Sequence, residues 1–341
     1  MFLFDLFTQN IAIDLGTANT LIIFNDKVVI EEPSVVAINR QNGKILALGK
    51  EAMFMDGKTH EHIKIIRPMK DGVIADFHAA EHMIRGFIAM IDKRKRWLFT
   101  SLNMVICIPS GITEVEKRAV RDSAEIAGAK DVYMIQEPMA AAIGIGIDVL
   151  APCGNMIVDI GGGSTEIAVI ALGGIVSDKS IRIAGNNLDD DIVNYMRYQH
   201  NVLIGYRTAE KAKIAIGTTI CKNKDFKLSE FAIYGRDLVT GIPKQIIISS
   251  EEIAKSIDKS ISKIEESILK ALEITPPELA ADIYQTGIYL TGGGALLKGL
   301  SNRIMEKTKL NVHIAEDPLR AVVKGTGIVQ NNIKKYSFLI Q

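Results

Sequence analysis

The sequence has few of the features that mark secreted, membrane-spanning or nucleic-acid-binding proteins. Its 341 residues include three cysteines, which stand singly without the spacing of a metal site, as suits a reducing cytosol. Lysine and arginine together number 40, as do aspartate and glutamate, so no net charge attracts nucleic acid. No apolar run reaches the roughly 18 residues of a membrane-spanning helix, and no secretory signal opens the chain. These absences favour a cytoplasmic protein.

Apolar residues, in contrast, are plentiful. They make up 48% of the sequence, which is enough to fill large hydrophobic cores. A chain of this length is expected to form about two domains of roughly 150 residues each.

Two stretches share one pattern. In the second of them an apolar run ends at Asp159, glycines occupy positions 161–163, and another apolar run begins at Ile167. In the first, Asp14 and Gly16 take the places of the aspartate and the first glycine. Each stretch therefore predicts a strand, a tight turn and a second strand. The repetition is the strongest signal in the sequence.

Glycine-rich turns of this kind expose backbone N–H groups that can bind phosphate oxygens. A single Gly-Gly-Gly also fits a plain hairpin, but two such loops facing each other across a cleft would hold a nucleotide from both sides. A third glycine loop, at 292–294, follows a predicted strand at 287–290 and offers close approach to a base or a sugar.

Glu137 follows another predicted strand, at 132–135, and precedes a helix of small residues at 140–147. Ligands of open α/β sheets lie beyond the carboxyl ends of the strands, so this carboxylate could hold a water molecule there. The alternative is an acidic residue that merely favours the positive end of the helix dipole.

The remaining periodicity predicts further elements along the chain. A meander of strands covers 11–30, and helices are expected at 79–91, after the Thr113–Glu116 capping box, and from Ser249 to the two prolines at 276 and 277. Turns are expected at Gly235 and at Gly241–Pro243. A final helix is expected to begin at Asp317 and to end near Gly325.

Two segments are candidates for membrane contact. The first seven residues are largely bulky and apolar, and four consecutive cations at 93–96 precede a second apolar cluster. The alternatives are a terminal segment packed on its domain and a solvated basic turn whose aromatic side chains enter the core. The residues predicted to touch a membrane are Phe2, Leu3, Phe4, Leu6, Phe7, Trp97, Leu98 and Phe99.

Several motifs in fixed order carry a family resemblance. The segments 13–20, 31–36, 136–144 and 241–244 are similar to those of the MreB family of bacterial actins, within the actin/Hsp70/sugar-kinase superfamily. The resemblance implies an α/β, actin-like fold with two related α/β domains, each with a small subdomain, around a nucleotide cleft. Domain I would comprise 1–144 plus 317–341, with a subdomain at about 33–65. Domain II would comprise 145–316, with a subdomain at about 182–245.

The resemblance also implies ATP and Mg²⁺ as ligands and assigns roles to the motif residues. Asp14 and Asp159 would approach Mg²⁺, mostly through waters. Glu137, assisted by Thr165, would orient the attacking water, while Glu210 and Lys213 would flank the ribose and the adenine. The remaining nucleotide-binding residues would be Gly16, Thr17, Ala18, Asn19, Gly161, Gly162, Gly163, Gly292, Gly293, Gly294 and Ala295. Two departures are Ser164, where threonine is common, and Gly185-Asn186-Asn187, where Gly-Asp is expected.

By the same resemblance, the chain would be an ATP-hydrolysing cytoskeletal protein whose membrane-associated filaments determine rod shape and organise peptidoglycan synthesis. Its partners would be copies of itself in single or paired protofilaments, the anionic inner face of the cytoplasmic membrane, and cell-wall elongation and membrane-anchoring proteins, with no nucleic acid. The alternatives are a small-molecule kinase, which needs insertions to build an acceptor pocket, and an Hsp70-type chaperone, which needs a substrate-binding domain after Ile328.

Overall fold

The computed structural model describes residues 8–92, 101–220 and 229–341. Two five-stranded mixed sheets form its centre. The first sheet has the strand order β10-β9-β1-β2-β3, and the second sheet has the order β13-β12-β11-β17-β18. The strands of the first sheet are β1 (Thr8–Leu15), β2 (Asn19–Phe24), β3 (Lys27–Pro33), β9 (Ser101–Ile108) and β10 (Asp131–Gln136). Those of the second are β11 (Asn155–Ile160), β12 (Thr165–Ala171), β13 (Gly174–Ile181), β17 (Ile288–Thr291) and β18 (Val312–Ile314).

The two sheets have the same topology. Each contains an antiparallel meander of three strands; a fourth strand pairs in parallel with the first strand of that meander, and a fifth pairs in parallel with the fourth. The strand register is also repeated, because Asp14 pairs with Leu21 and Asp159 pairs with Glu166. The repeat seen in the sequence is therefore a duplicated structural unit, and the α/β, actin-like fold is confirmed.

Three smaller sheets accompany the central ones. A β4–β6 sheet with helix α1 coincides closely with the range predicted for the first subdomain, and a β14–β16 sheet overlaps the second but extends beyond it to Ser249. The domain boundaries themselves stay a prediction. The prediction of a turn at Gly235 is wrong, because this glycine lies inside a strand. A Cβ there would lie 2.5 Å from a Val202 side-chain carbon, so the glycine permits close packing. The elements are β4 (Val36–Asn39), β5 (Ile45–Leu48), α1 (Gly49–Met55), β6 (Ile63–Ile66), β7 (Met69–Lys70), β8 (Val73–Ile74), β14 (Val202–Leu203), β15 (Glu230–Asp237) and β16 (Pro243–Ser249).

Longer helices cover the sheets. Thr113 caps the N-terminus of α3 through the predicted capping box with Glu116, and Ser249 caps α7 in the same way with Glu252. The helices are α2 (Phe77–Asp92), α3 (Glu114–Ile126), α4 (Glu137–Gly144), α5 (Gly185–His200), α6 (Tyr206–Ile216), α7 (Ser250–Glu273), α8 (Pro277–Thr286), α9 (Leu300–Thr308) and α10 (Ala321–Asn331), with 3-10 helices at Gly293–Leu296 and Pro318–Arg320.

A hydrophobic core lies between the two sheets and contains residues of α4 and α10. These helices cross at Gly144 and Gly325. A Cβ on Gly325 would lie 1.7 Å from the Ala140 carbonyl oxygen, and one on Gly144 would lie 1.9 Å from that of Ala321. The prediction that the final helix ends near Gly325 is therefore wrong. This glycine lies in the middle of α10, where it allows the two backbones to touch.

Candidate functional site

The two repeated loops face each other across the gap between the sheets. The first phosphate loop, residues 16–18, joins β1 to β2, and the second phosphate loop, residues 161–164, joins β11 to β12. A Cβ on Gly162 would lie 2.7 Å from the Cβ of Ala18, and one on Gly163 would lie 2.5 Å from the Thr17 hydroxyl. The glycines of the second loop are therefore needed because the first loop packs directly against them.

The second phosphate loop is fixed from behind by helix α5. The N–H groups of Gly185 and Asn186 donate to the carbonyl oxygens of Gly161 and Gly162, at 3.1 and 2.8 Å. Asn186 stands where the family pattern suggests an aspartate, and the neighbouring Asn187 accepts a hydrogen bond from the N–H of Ala184 at 2.9 Å. This asparagine thus has a structural role at the start of the helix.

A hairpin tip that the sequence reading did not single out fills the space beside both loops. Gly72, between β7 and β8, donates its N–H to the Thr17 hydroxyl at 2.9 Å. Its φ is +84°, and a Cβ at this position would lie 2.9 Å from the Ser164 hydroxyl. The Asp71-Gly72 pair between short strands is a hairpin signal, so the turn could have been predicted, although its insertion between the loops could not.

A cavity of about 470 Å³ lies between the two sheets. The third glycine loop closes one side: a Cβ on Gly292, whose φ is +77°, would lie 2.4 Å from the Ile160 carbonyl oxygen. Of the predicted site residues, those that line the cavity are Asp14, Gly16, Thr17, Ala18, Asn19, Glu137, Asp159, Gly161, Gly162, Gly163, Glu210, Lys213, Gly292, Gly293 and Gly294.

Two predicted residues are not part of the cavity lining. Thr165 is fully buried and donates its hydroxyl to the Ile183 carbonyl oxygen at 2.7 Å. Ala295 is fully buried in the core of the second sheet. Their roles toward a nucleotide stay predictions. Lining residues that the sequence reading missed include Leu188, Ile214, Leu297 and Lys298, which carry no motif of their own.

Three of the residues that line the cavity are neighbouring carboxylates. Burial raises the pKa of Asp14 to about 6, although the Cys107 thiol donates to its Oδ1 at 3.2 Å. Burial likewise raises the pKa of Asp159 to about 7, against the hydrogen bond from Thr291 at 2.7 Å, and the charge of Asp14 raises it further. The pKa of Glu137 lies well above its usual range, first through burial and then through the neighbouring carboxylates. The site thus gathers carboxyl groups away from water, where the ionisation of each one disfavours that of the others.

This donor set fits a hard divalent cation. In the described part of the chain, neither Asp14 nor Asp159 forms an ion pair with a lysine or an arginine, and their mutual repulsion would be relieved by a cation between them. No group of three or more His, Cys, Asp or Glu side chains within 8–92, 101–220 and 229–341 could enclose a metal. Two carboxylates supplemented by water and phosphate oxygens suit Mg²⁺, which keeps much of its hydration shell.

On the opposite wall, Lys213 is held in place by an ion pair. Its Nζ donates to Asp189 Oδ2 and to the Gly185 carbonyl oxygen, both at 2.8 Å. Burial raises the pKa of Asp189 to about 6 despite this pairing. Lys213 therefore presents a fixed cation at the cavity wall beside Glu210.

The residues predicted to contact a membrane, within 1–7 and 97–99, lie outside the described residues. Within the described ranges, none of the helices has the length and apolarity to cross a bilayer.

Comparison with known proteins identifies the family. Residues 8–338 match the family described as MreB/Mbl protein. The chain is 46% identical to the cell shape-determining protein Mbl of Bacillus subtilis over 331 residues, covering 97% of this chain and 98% of that protein. It is 44% identical to the cell shape-determining protein MreB of Escherichia coli, covering 94% and 93% of the two chains.

Solved structures give the same result. The crystal structure of MreB5 of Spiroplasma citri bound to ADP superposes with a TM-score of 0.90 at 41% identity, over 97% of this chain and 98% of that one. The MamK double helical filament, at 23% identity and a TM-score of 0.79 over 95% and 99% of the two chains, shares the fold. By sequence and by structure, the chain belongs to the MreB/Mbl protein family.

Proposed function

We propose that this protein is an ATP-binding cytoskeletal protein that polymerises into filaments and contributes to cell shape. The observation that carries the proposal is the pair of equivalent phosphate loops, which pack against each other and together line a cavity of about 470 Å³. Related chains support it: MreB5 of Spiroplasma citri has been crystallised with ADP and with AMPPNP, and the Mbl and MreB relatives are described as shape-determining.

In the proposed site, N–H groups of both phosphate loops bind the phosphates of ATP. Asp14 and Asp159 would hold Mg²⁺, mostly through waters, and the bound ion would neutralise phosphate charge. Glu210 and Lys213 contact the nucleoside, and the third glycine loop lies on its other side.

Hydrolysis in this scheme depends on Glu137, the first residue of α4. Its position at the end of β10 aims a carboxylate at the cavity, where it can accept a hydrogen bond from the attacking water. A raised pKa makes this carboxylate a stronger base once it is ionised. Phosphoryl transfer needs positioning and charge stabilisation more than covalent catalysis, so one oriented water is sufficient. Thr165 can donate a hydrogen bond to this water only by releasing its bond to Ile183.

The filaments are proposed to lie on the inner face of the cytoplasmic membrane, attached through the apolar residues within 1–7 and at 97–99. Cell-wall elongation and membrane-anchoring proteins would then be the partners. A small-molecule kinase is not favoured, since the relatives that match nearly the whole chain are shape-determining proteins.

Binding and sedimentation test the proposal together. The purified protein should bind a fluorescent ATP analogue in the presence of Mg²⁺ and should sediment as filaments when ATP is added. The variant Gly163→Val places a branched side chain against Thr17 and should lose both properties. The variant Gly174→Ala is the control, because its added Cβ meets nothing closer than 3.8 Å. Absence of ATP binding by the wild-type protein would refute the proposal.

A further inference from the structure

At one pair of equivalent positions, the first duplicated unit has an apolar residue and the second has a buried carboxylate, which hydrophobic packing alone does not explain. Where the first unit has the apolar Leu21 opposite Asp14, the second has Glu166 opposite Asp159. Glu166 is 0% exposed, although it is the second residue of β12, whose other residues from Ile167 onward are all apolar. A buried carboxylate costs free energy unless donors surround it, so its surroundings indicate its role.

Three hydrogen bonds surround Glu166, and they come from both sheets. Ser110, in the loop after β9, donates its hydroxyl to Oε2 at 2.6 Å and its N–H to the same oxygen at 3.2 Å. Ser180, near the end of β13, donates its hydroxyl to Oε1 at 2.6 Å. One carboxylate thus joins the loop that leaves the first sheet to an edge strand of the second.

The loop that Glu166 holds reaches the first phosphate loop through the hairpin tip at Gly72. Pro109 approaches the hairpin tip, where a Cβ on Gly72 would lie 3.1 Å from the Pro109 ring. Gly72 in turn donates its N–H to the Thr17 hydroxyl. A continuous set of contacts therefore runs from Glu166 through Ser110, Pro109 and Gly72 to Thr17.

We propose that Glu166 is a positioning residue for the nucleotide reaction: it fastens the loop after β9 to the second sheet and so holds the first phosphate loop against the second. The inference rests on the proposed function. Glu166 does not line the cavity, so it contacts the loops and not the nucleotide, although its charge also acts on Glu137 and Asp159.

Steady-state kinetics test this role. Glu166→Ala removes the contacts to both serines and should lower the maximal rate of ATP hydrolysis about tenfold or more, with a smaller change in KM, because misplacement by about 1 Å can cost about a hundredfold in rate. Glu166→Gln keeps an oxygen for Ser110 and offers an N–H to the Ser180 hydroxyl, so it should restore most of the rate. Ser267→Ala, which removes a hydroxyl bonded within α7, is the control and should leave the rate unchanged.

Amide hydrogen exchange reads the contact directly in the nucleotide-free protein. The N–H of Ser110 should exchange faster in Glu166→Ala than in the wild type or in Glu166→Gln. Substitution of the exposed Ser180 by alanine should give an intermediate exchange rate at Ser110. The inference would be overturned if Glu166→Ala hydrolysed ATP at an unchanged rate. It would also be overturned if Glu166→Gln hydrolysed ATP as slowly as Glu166→Ala, because the charge of Glu166 and not its contacts would then matter. If the wild type fails to hydrolyse ATP, the proposed function fails, while the exchange data still report whether Glu166 holds the loop.

Discussion

The raised pKa of Asp159 has a measurable consequence for stability. Its folded-state pKa of about 7 exceeds the ordinary value of 3.8, so between about pH 4 and pH 7 the folded protein binds a proton that the unfolded chain has released. The unfolding free energy of the nucleotide-free protein therefore falls as the pH rises through this window. At about 1.4 kcal/mol per pKa unit, Asp159 alone accounts for about 4 kcal/mol. Asp14, with a pKa of about 6, acts in the same direction.

The isosteric variant Asp159→Asn isolates this contribution. Asparagine keeps an Oδ1 acceptor for Thr291 but cannot ionise, so the variant should match the wild type near pH 4 and be more stable by up to about 4 kcal/mol near pH 8. Urea unfolding of the nucleotide-free protein with EDTA, followed by circular dichroism from pH 4 to pH 8, measures the difference. Parallel stability curves for the two proteins would refute the reasoning, since the carboxylate would then titrate alike in both states.

Three further predictions concern catalysis, packing and membrane contact. Glu137→Ala should retain ATP binding but lose hydrolysis by about a hundredfold or more in a phosphate-release assay, and unchanged turnover would remove Glu137 from the mechanism. Gly325→Ala forces a methyl group onto the Ala140 carbonyl and should lower the unfolding free energy by about 2 to 3 kcal/mol, as measured by thermal unfolding. The control Gly174→Ala should have little effect in that measurement. Serine substitutions at 97–99 combined with removal of the apolar side chains within 1–7 should abolish co-sedimentation with anionic liposomes; retained binding would contradict the membrane prediction.

The repeat made much of the fold predictable. Because Asp14 and Asp159 begin equivalent loops, strand pairing in one unit implies the same pairing in the other, and the register bears this out. Local signals such as the Thr113 capping box were also sufficient, since a cap depends on residues within one helical turn.

The glycines were harder to interpret, because one residue type serves two purposes. At Gly235 and Gly325 the sequence suggested a turn and a helix end, yet both lie inside elements where another backbone or side chain approaches closely. Sequence reasoning cannot distinguish these cases, since the approaching group comes from a distant part of the chain.

The same difficulty applies to the site. The loops were predictable from their motifs, but partners such as Asp189 for Lys213 are set by tertiary packing. Likewise, nothing local indicates that the Thr165 hydroxyl bonds to Ile183.

The crossing of α4 and α10 bears on the order in which the protein folds during synthesis. The strands of the second sheet all lie between residues 155 and 314, so its hydrophobic core can close once this continuous stretch has left the ribosome. The core around α4 instead needs Val322 and Val329 of α10, which are translated afterwards. Until then, the apolar face of α4 is without its partner helix. The core of the first sheet draws only on residues 11–134 and can close earlier still, so the core between the sheets is expected to form last, and α4 is the exposed target for chaperones until α10 emerges.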